Sequence, residues 1–183
     1  MRIALASGSP RRKELMTLAG FDFDIIVPDV DETVVENTSP AEAVSYLSKI
    51  KAEAVFKENT GYDVVVAADT VVSVDGRILG KPKDREEAFS MISLLSGRTH
   101  SVFTGVTVIK NGAADTFFVK SDVTFYELSE EEINNYLDSG EYADKAGSYG
   151  IQGKGCILVK EVQGDYFNIV GLPIARTYRA ITQ

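Results

Sequence analysis

The sequence predicts an α/β protein built on a mixed, twisted sheet flanked by helices. Three observations carry this. Strands and helices alternate in the first part of the chain. Two β-hairpins with Asp-Gly and Asn-Gly turns follow in the middle. Capping signals then mark the helices between and after them. A sheet with both parallel and antiparallel pairs accommodates this mixture.

The elements follow in order. Ile3 to Ala6 is a short apolar strand. Ser9 reads as an N-cap and Pro10 as the first residue of a helix. Phe23 to Val27 reads as a second strand. Ser39-Pro40-Ala41-Glu42 is a capping box, and its helix spaces Ala43, Val44, Leu47, Ile50, Ala54 and Val55 along one face. Val64 to Val74 is a long β-branched strand that turns at Asp75-Gly76 and returns over Arg77 to Leu79. Asp84 caps a helix through Ala88, Met91, Ile92 and Leu95. His100 to Lys110 and Ala114 to Tyr126 pair across Asn111-Gly112. Ser129 and Glu132 form a second capping box, opening a helix toward Leu137. Gly155 to Val162 reads as a late strand with Cys156 in the core. Asp165 to Val170 reads as a short helical turn and Leu172 to Ile181 as a terminal helix.

With 183 residues the chain is expected to form one domain, 1–183, with room for two lobes. A net charge of −8 argues against a nucleic-acid partner. A single cysteine, Cys156, excludes an internal disulfide, and a single histidine, His100, excludes a zinc site of several His or Cys ligands. A metal would therefore be a hard divalent cation held by carboxylates. No signal-peptide pattern and no apolar run of transmembrane length is present, so no membrane partner and a cytoplasmic location are expected.

The segment Ser7-Gly8-Ser9-Pro10-Arg11-Arg12-Lys13 places three cations in the first turn of a helix. That end already carries partial positive charge and unpaired amides. An anion bound there would make the arrangement favourable, and hydroxyls, amides and guanidiniums together suit a phosphate chain. A solvated basic turn is the alternative.

Asp69 interrupts the apolar run Val64 to Ala68. A carboxylate in a buried strand costs several kcal/mol, about 2–7, unless it is paired or binds a cation. It should face a cleft, a cation or a hydrogen-bond cluster, or else bond backbone amides at a strand end. Thr70 points to the opposite face of a regular strand, and a bulge or kink there would let it reach one site with Asp69. Asp29, Asp31, Glu32 and Glu36 form an acidic cluster. It is a solvated loop, or one member completes a Mg²⁺ site with Asp69. Lys51 and Lys81 are surface lysines or, with Arg11 and Arg12, surround a triphosphate.

Asp144 to Gly155 is glycine-dense but lacks the strand–turn–helix context of a dinucleotide fingerprint. It is a turn cluster, or a loop approaching a base with Gln152 as an amide that both donates and accepts. His100 reads as structural.

Ala6 to Leu15, Ala68-Asp69-Thr70, Leu79-Gly80-Lys81-Pro82, Leu95 to His100 and Asp144 to Gly153 together resemble the Maf proteins, septum-formation inhibitor homologues that are nucleoside triphosphate pyrophosphatases. The resemblance implies a two-lobed fold with a central cleft similar to the inosine triphosphatase group. It implies hydrolysis of a nucleoside triphosphate to monophosphate and pyrophosphate, a divalent cation (Mg²⁺ or Mn²⁺) and a homodimer in many members. The position of Asp69 is the family's proton acceptor, and the positions of Arg12, Thr70 and Gln152 are associated with substrate choice. Asp-Thr at 69–70 is similar to the branch acting on dTTP and UTP, and modified pyrimidine triphosphates are candidate substrates of the same site. On this resemblance Ser7, Ser9, Arg11, Arg12, Lys51 and Lys81 would bind phosphates, and Asp69 with Glu32 would hold the metal. A house-cleaning role and a link to cell-division arrest follow from the family. The rival expectation is a non-catalytic nucleotide-binding regulator of septation.

Overall fold

The computed structural model describes residues 1–35 and 37–183, so Glu36 of the acidic cluster lies outside the described residues. The strands are β1 (Ile3–Leu5), β2 (Phe23–Ile25), β3 (Val64–Val74), β4 (Arg77–Leu79), β5 (Thr99–Lys110), β6 (Ala113–Phe125) and β7 (Val159–Gln163). The helices are α1 (Pro10–Leu18), α2 (Pro40–Glu58), α3 (Arg85–Leu95), α4 (Glu130–Leu137), α5 (Tyr166–Val170) and α6 (Ile174–Thr182). Among the described residues the sheet has seven strands, in the order β2-β1-β3-β5-β6-β7, with β4 also on β3. β1 runs parallel to β2 and β3, and the remaining pairs are antiparallel, as the sequence predicts.

Both predicted capping boxes form: Ser39 with Glu42 at α2 and Ser129 with Glu132 at α4. Asp84 caps α3 by accepting from the Glu87 amide. Asp75 and Asn111 take positive φ in the two hairpin turns. Most boundaries fall within one residue of the sequence reading, and three elements differ by more. β2 stops at Ile25. α6 begins at Ile174, because Pro173 occupies its N-cap. The expected strand from Gly155 is a 3-10 turn over Lys154–Leu158, and pairing starts only at Val159. Cys156 is consequently exposed, not in the core.

The strand period assigns the two faces of β3. Val65 and Ala67 pack with Ala4, Ala6 and Ile109 against Ala52 and Val55 of α2. Val64, Val66 and Ala68 face the other way, toward Leu15 and Met16 of α1 and Ile181 of α6. Further along that second face Val72 and Val74 join a separate cluster with Ile92 of α3, Leu137 of α4 and Phe125. Thr70 is the polar residue between these two clusters.

One edge of β3 is shared. β5 pairs with the strand from Val64 to Ser73. On the opposite edge β1 covers only Val64 to Val66, and β4 only Val72 to Val74. Residues 67–71 therefore border a notch between β1 and β4, and Asp69 and Thr70 lie in it. Among the described residues no helix is long and apolar enough to cross a membrane.

Candidate functional site

The notch opens into a cleft of about 880 Å³, within the range of small-molecule sites. Its rim comes from the β1–α1 turn, the loop before α2, the Gly80-Lys81 turn and the glycine-dense segment. The ten residues that the resemblance assigns to a site all line it: Ser7, Ser9, Arg11, Arg12, Glu32, Lys51, Lys81, Asp69, Thr70 and Gln152; Asp29 and Asp31 of the acidic cluster do not. The β3–β5 register is unbroken through Asp69 and Thr70, so no bulge brings these two together. The open sheet edge does: side chains on both faces can reach one space where no neighbouring strand separates them.

Asp69 faces α2. Its Oδ1 accepts from Lys51 Nζ at 2.6 Å, and the same ammonium lies 3.0 Å from Glu32 Oε2. Lys51 is 7% exposed, so its charge is tolerated only because carboxylates meet it. Gly105 makes this approach geometrically accessible. It stands opposite Asp69, and a Cβ there would lie 2.2 Å from the Val44 carbonyl oxygen of α2.

Thr70 faces the other way and meets Arg12. The Arg12 guanidinium donates through Nε to the Gly171 carbonyl at 2.9 Å, through Nη1 to Ser7 Oγ at 3.3 Å and through Nη2 to Thr70 Oγ1 at 3.1 Å. It thereby ties the β1–α1 turn, β3 and the α5–α6 turn together. Burial pulls its pKa below the ordinary value, opposed by the negative charge of Asp69. The Ser9 hydroxyl makes no cap bond to α1; instead the Ser9 amide donates to Ser7 Oγ at 3.2 Å. The first turn of α1 contains no acidic residue and lines the cleft.

Across the cleft, Gly147 adopts a positive φ of 67° and donates its amide to the Gly80 carbonyl at 3.0 Å. This joins the Lys81 turn to the glycine-dense segment. A Cβ on Gly147 would press on Val72 at 2.9 Å. Tyr149 is buried; its hydroxyl lies 2.8 Å from His100 Nε2 and its ring packs edge-on against Phe125. His100 is 2% exposed and has the structural role expected. Asp144 faces Arg11 at 3.5 Å and pairs with Lys145. Partial burial pushes the Asp144 carboxyl up, but Lys145 and Arg11 hold it below the usual range. This Arg11–Asp144 contact lies in the lining of the cleft. Sequence reasoning did not single it out, although an acid–base pair entering a glycine run was its visible trace.

Asp69 and Glu32 are two hard oxygen donors converging on one cationic atom, and this donor set fits a divalent cation such as Mg²⁺. Among the described residues no three His, Cys, Asp or Glu side chains are placed to hold a metal ion together, so a bound metal would draw its other ligands from phosphate and water.

The sequence matches the Maf-like protein family over residues 2–183. The chain belongs to the Maf family. Relatives named dTTP/UTP pyrophosphatase include those of Bacillus thuringiensis subsp. konkukian and Bacillus anthracis. Each is 53% identical over 182 residues, spanning 100% of this chain and 95% of the relative. A protein of the same name from Bacillus cereus strain G9842 is 52% identical over the same span. Among solved structures, the Staphylococcus aureus Ham1 protein superposes with a TM-score of 0.46 and 19% identity, over 68% of this chain and 72% of that one.

Proposed function

We propose that this Maf-family chain hydrolyses dTTP, UTP and modified pyrimidine triphosphates to the monophosphate and pyrophosphate. The Glu32–Lys51–Asp69 arrangement in the notch carries the reading. It places a carboxylate able to take a proton beside a cation able to meet phosphate, in a cleft that a basic helix start also lines. The names borne by relatives that match the whole chain support the substrate.

When bound, a divalent cation (Mg²⁺ or Mn²⁺) held by Asp69 and Glu32 would offset phosphate charge and acidify water. Asp69 accepts a proton from water as the water oxygen bonds the α-phosphorus. The bond from that phosphorus to the α,β-bridging oxygen breaks, and its electron pair leaves on pyrophosphate. Lys51, Arg11 and Lys81 offset the charge of the leaving group, while Ser7, Ser9 and the α1 amides hold the phosphates. Arg12 keeps two N–H groups beyond its three protein bonds for the ligand. Thr70 and Gln152 contact the pyrimidine. A homodimer belongs to the same proposal, and light scattering of the purified chain tests it.

The experiment is pyrophosphate release from dTTP, UTP, CTP and 7-methyl-GTP with Mg²⁺, Mn²⁺ or EDTA. Metal-dependent release from dTTP and UTP, with monophosphate as co-product, is expected. Preference for 7-methyl-GTP would overturn the role of Thr70. Nucleotide binding without turnover would replace the enzyme with a nucleotide-binding regulator.

A further inference from the structure

A line of hydroxyls runs from the cleft into the core behind Thr70. Arg12 Nη2 donates to Thr70 Oγ1 at 3.1 Å. Thr70 Oγ1 lies 2.9 Å from Thr104 Oγ1. Thr104 Oγ1 in turn lies 2.8 Å from the carbonyl oxygen of Asn168. Each hydroxyl carries one proton and two lone pairs, whereas a carbonyl oxygen only accepts. Two oxygens at 2.8 Å with no proton between them repel, so the Thr104 proton is committed to Asn168. Toward Thr70, Thr104 is then an acceptor, and the Thr70 proton points inward to it. Arg12 fills one Thr70 lone pair. What Thr70 retains for the cleft is one acceptor site and no donor.

The fold holds this direction in place. Thr70 and Thr104 are directly paired in the β3–β5 ladder and share a face. Thr104 and Asn168 are fully buried. Asn168 is anchored by its own Nδ2, which donates to the Val102 carbonyl at 3.0 Å and to Ser121 Oγ at 2.9 Å. The accepting carbonyl therefore cannot swing away from Thr104.

We infer that Thr104 is a positioning residue for base selection: it turns the Thr70 hydroxyl inward, so that Thr70 offers an acceptor to the imide N3–H of uracil or thymine and no donor to the unprotonated N3 of cytosine. This rests on the proposed contact between Thr70 and the base. Buried polar sites built for one hydrogen-bond pattern reject the opposite pattern strongly, because a mismatched group is left unpaired.

The test compares kcat/KM for UTP and CTP in the wild-type chain and in Thr104→Val, Thr104→Ser and Thr70→Val, with melting temperatures alongside. Thr104→Val removes the inward acceptor and frees the Thr70 proton to turn toward the cleft. The UTP-over-CTP ratio should fall about tenfold, the worth of roughly one hydrogen bond, while Thr104→Ser keeps it. A purely structural role would lower both substrates together and leave the ratio unchanged, which would overturn the inference. The wild-type chain provides a check that needs no variant: 3-methyl-UTP, which lacks the N3 proton, should be turned over at least about tenfold less efficiently than UTP. Equal turnover would overturn the inference even if Thr104→Val failed to fold. An unchanged ratio in Thr70→Val removes the base contact itself. An altered ratio there with none in Thr104→Val removes only the relay. No pyrophosphate release from UTP or dTTP by the wild-type chain would sink the proposed function and this inference together.

Discussion

Gly105 stands directly across from Asp69 in the β3–β5 ladder, and both face helix α2. The glycine lets the Val44 turn of α2 settle against the sheet. Lys51, two turns further along the same face, then reaches Asp69 at 2.6 Å. The carboxylate–ammonium pair thus depends on a missing side chain on the neighbouring strand. Gly105→Ala should force α2 outward, since its Cβ would lie 2.2 Å from a backbone oxygen. We expect a stability loss of about 1–3 kcal/mol or more and a larger relative loss of turnover. Urea titration and pyrophosphate release on the same preparation check both. Wild-type turnover in a destabilised variant would uncouple the helix position from Asp69.

Asp69→Asn preserves size but removes the proton acceptor. It should lower kcat by about 10²–10⁴-fold, the usual range for loss of general-base assistance. The fold should survive, because Glu32 still lies 3.0 Å from Lys51 Nζ and offsets its charge. Circular dichroism and single-turnover kinetics separate the two effects. A kcat near wild type would end the assignment of Asp69.

How much of this was legible in the sequence depends on how far apart the determinants lie. The capping boxes at Ser39 and Ser129 are local, and both form as read. Asp69 stood out because an unpaired carboxylate is costly in an apolar strand. The Gly-rich stretch misled: Cys156-Ile157-Leu158 looked like a strand, yet a Cβ on Gly155 would lie 2.7 Å from the Gly150 carbonyl oxygen. That tight approach winds the segment into a 3-10 turn and leaves only Gly155 and Leu158 of it buried. The notch was not readable, because it depends on β1 and β4 sharing one edge of β3. Nor were the partners of Arg12, one of which is the carbonyl of Gly171. A basic helix start signals an anion; it does not show that one guanidinium already braces three elements.

His100 predicts an acid-sensitive fold. Burial lowers its pKa to about 4, opposed by the charge of Asp122. Its ordinary unfolded value is near 6.5. Above that value it is neutral in both states and contributes nothing to the pH dependence. Between about 6.5 and 4 the unfolded chain binds the extra proton, so stability falls as pH falls through this window. The total loss is roughly 3 kcal/mol once pH passes below the folded value. His100→Gln should flatten the melting-temperature profile between pH 6.5 and 4 relative to the wild-type chain. Parallel profiles would show that His100 does not titrate in this window.

Arg12→Lys retains the charge and removes the fork. A lysine ammonium is a compact donor group on a flexible stem and cannot reproduce the fixed geometry in which the Gly171 carbonyl, Ser7 Oγ and Thr70 Oγ1 are engaged together. If Arg12 acts only as a positive charge for phosphate, the lysine variant should bind triphosphate and turn it over nearly as well as wild type. If it braces the notch, two things should change together. The melting temperature should drop by several degrees, corresponding to about 1–3 kcal/mol for buried acceptors left unpaired. The preference among pyrimidine triphosphates should also loosen, because Thr70 loses the partner that fills one of its lone pairs. Inorganic triphosphate has no base, so its affinity for the variant isolates the electrostatic part. We expect that affinity to change less than the UTP-over-CTP ratio of kcat/KM. The reverse order would make Arg12 a phosphate clamp first and a brace second.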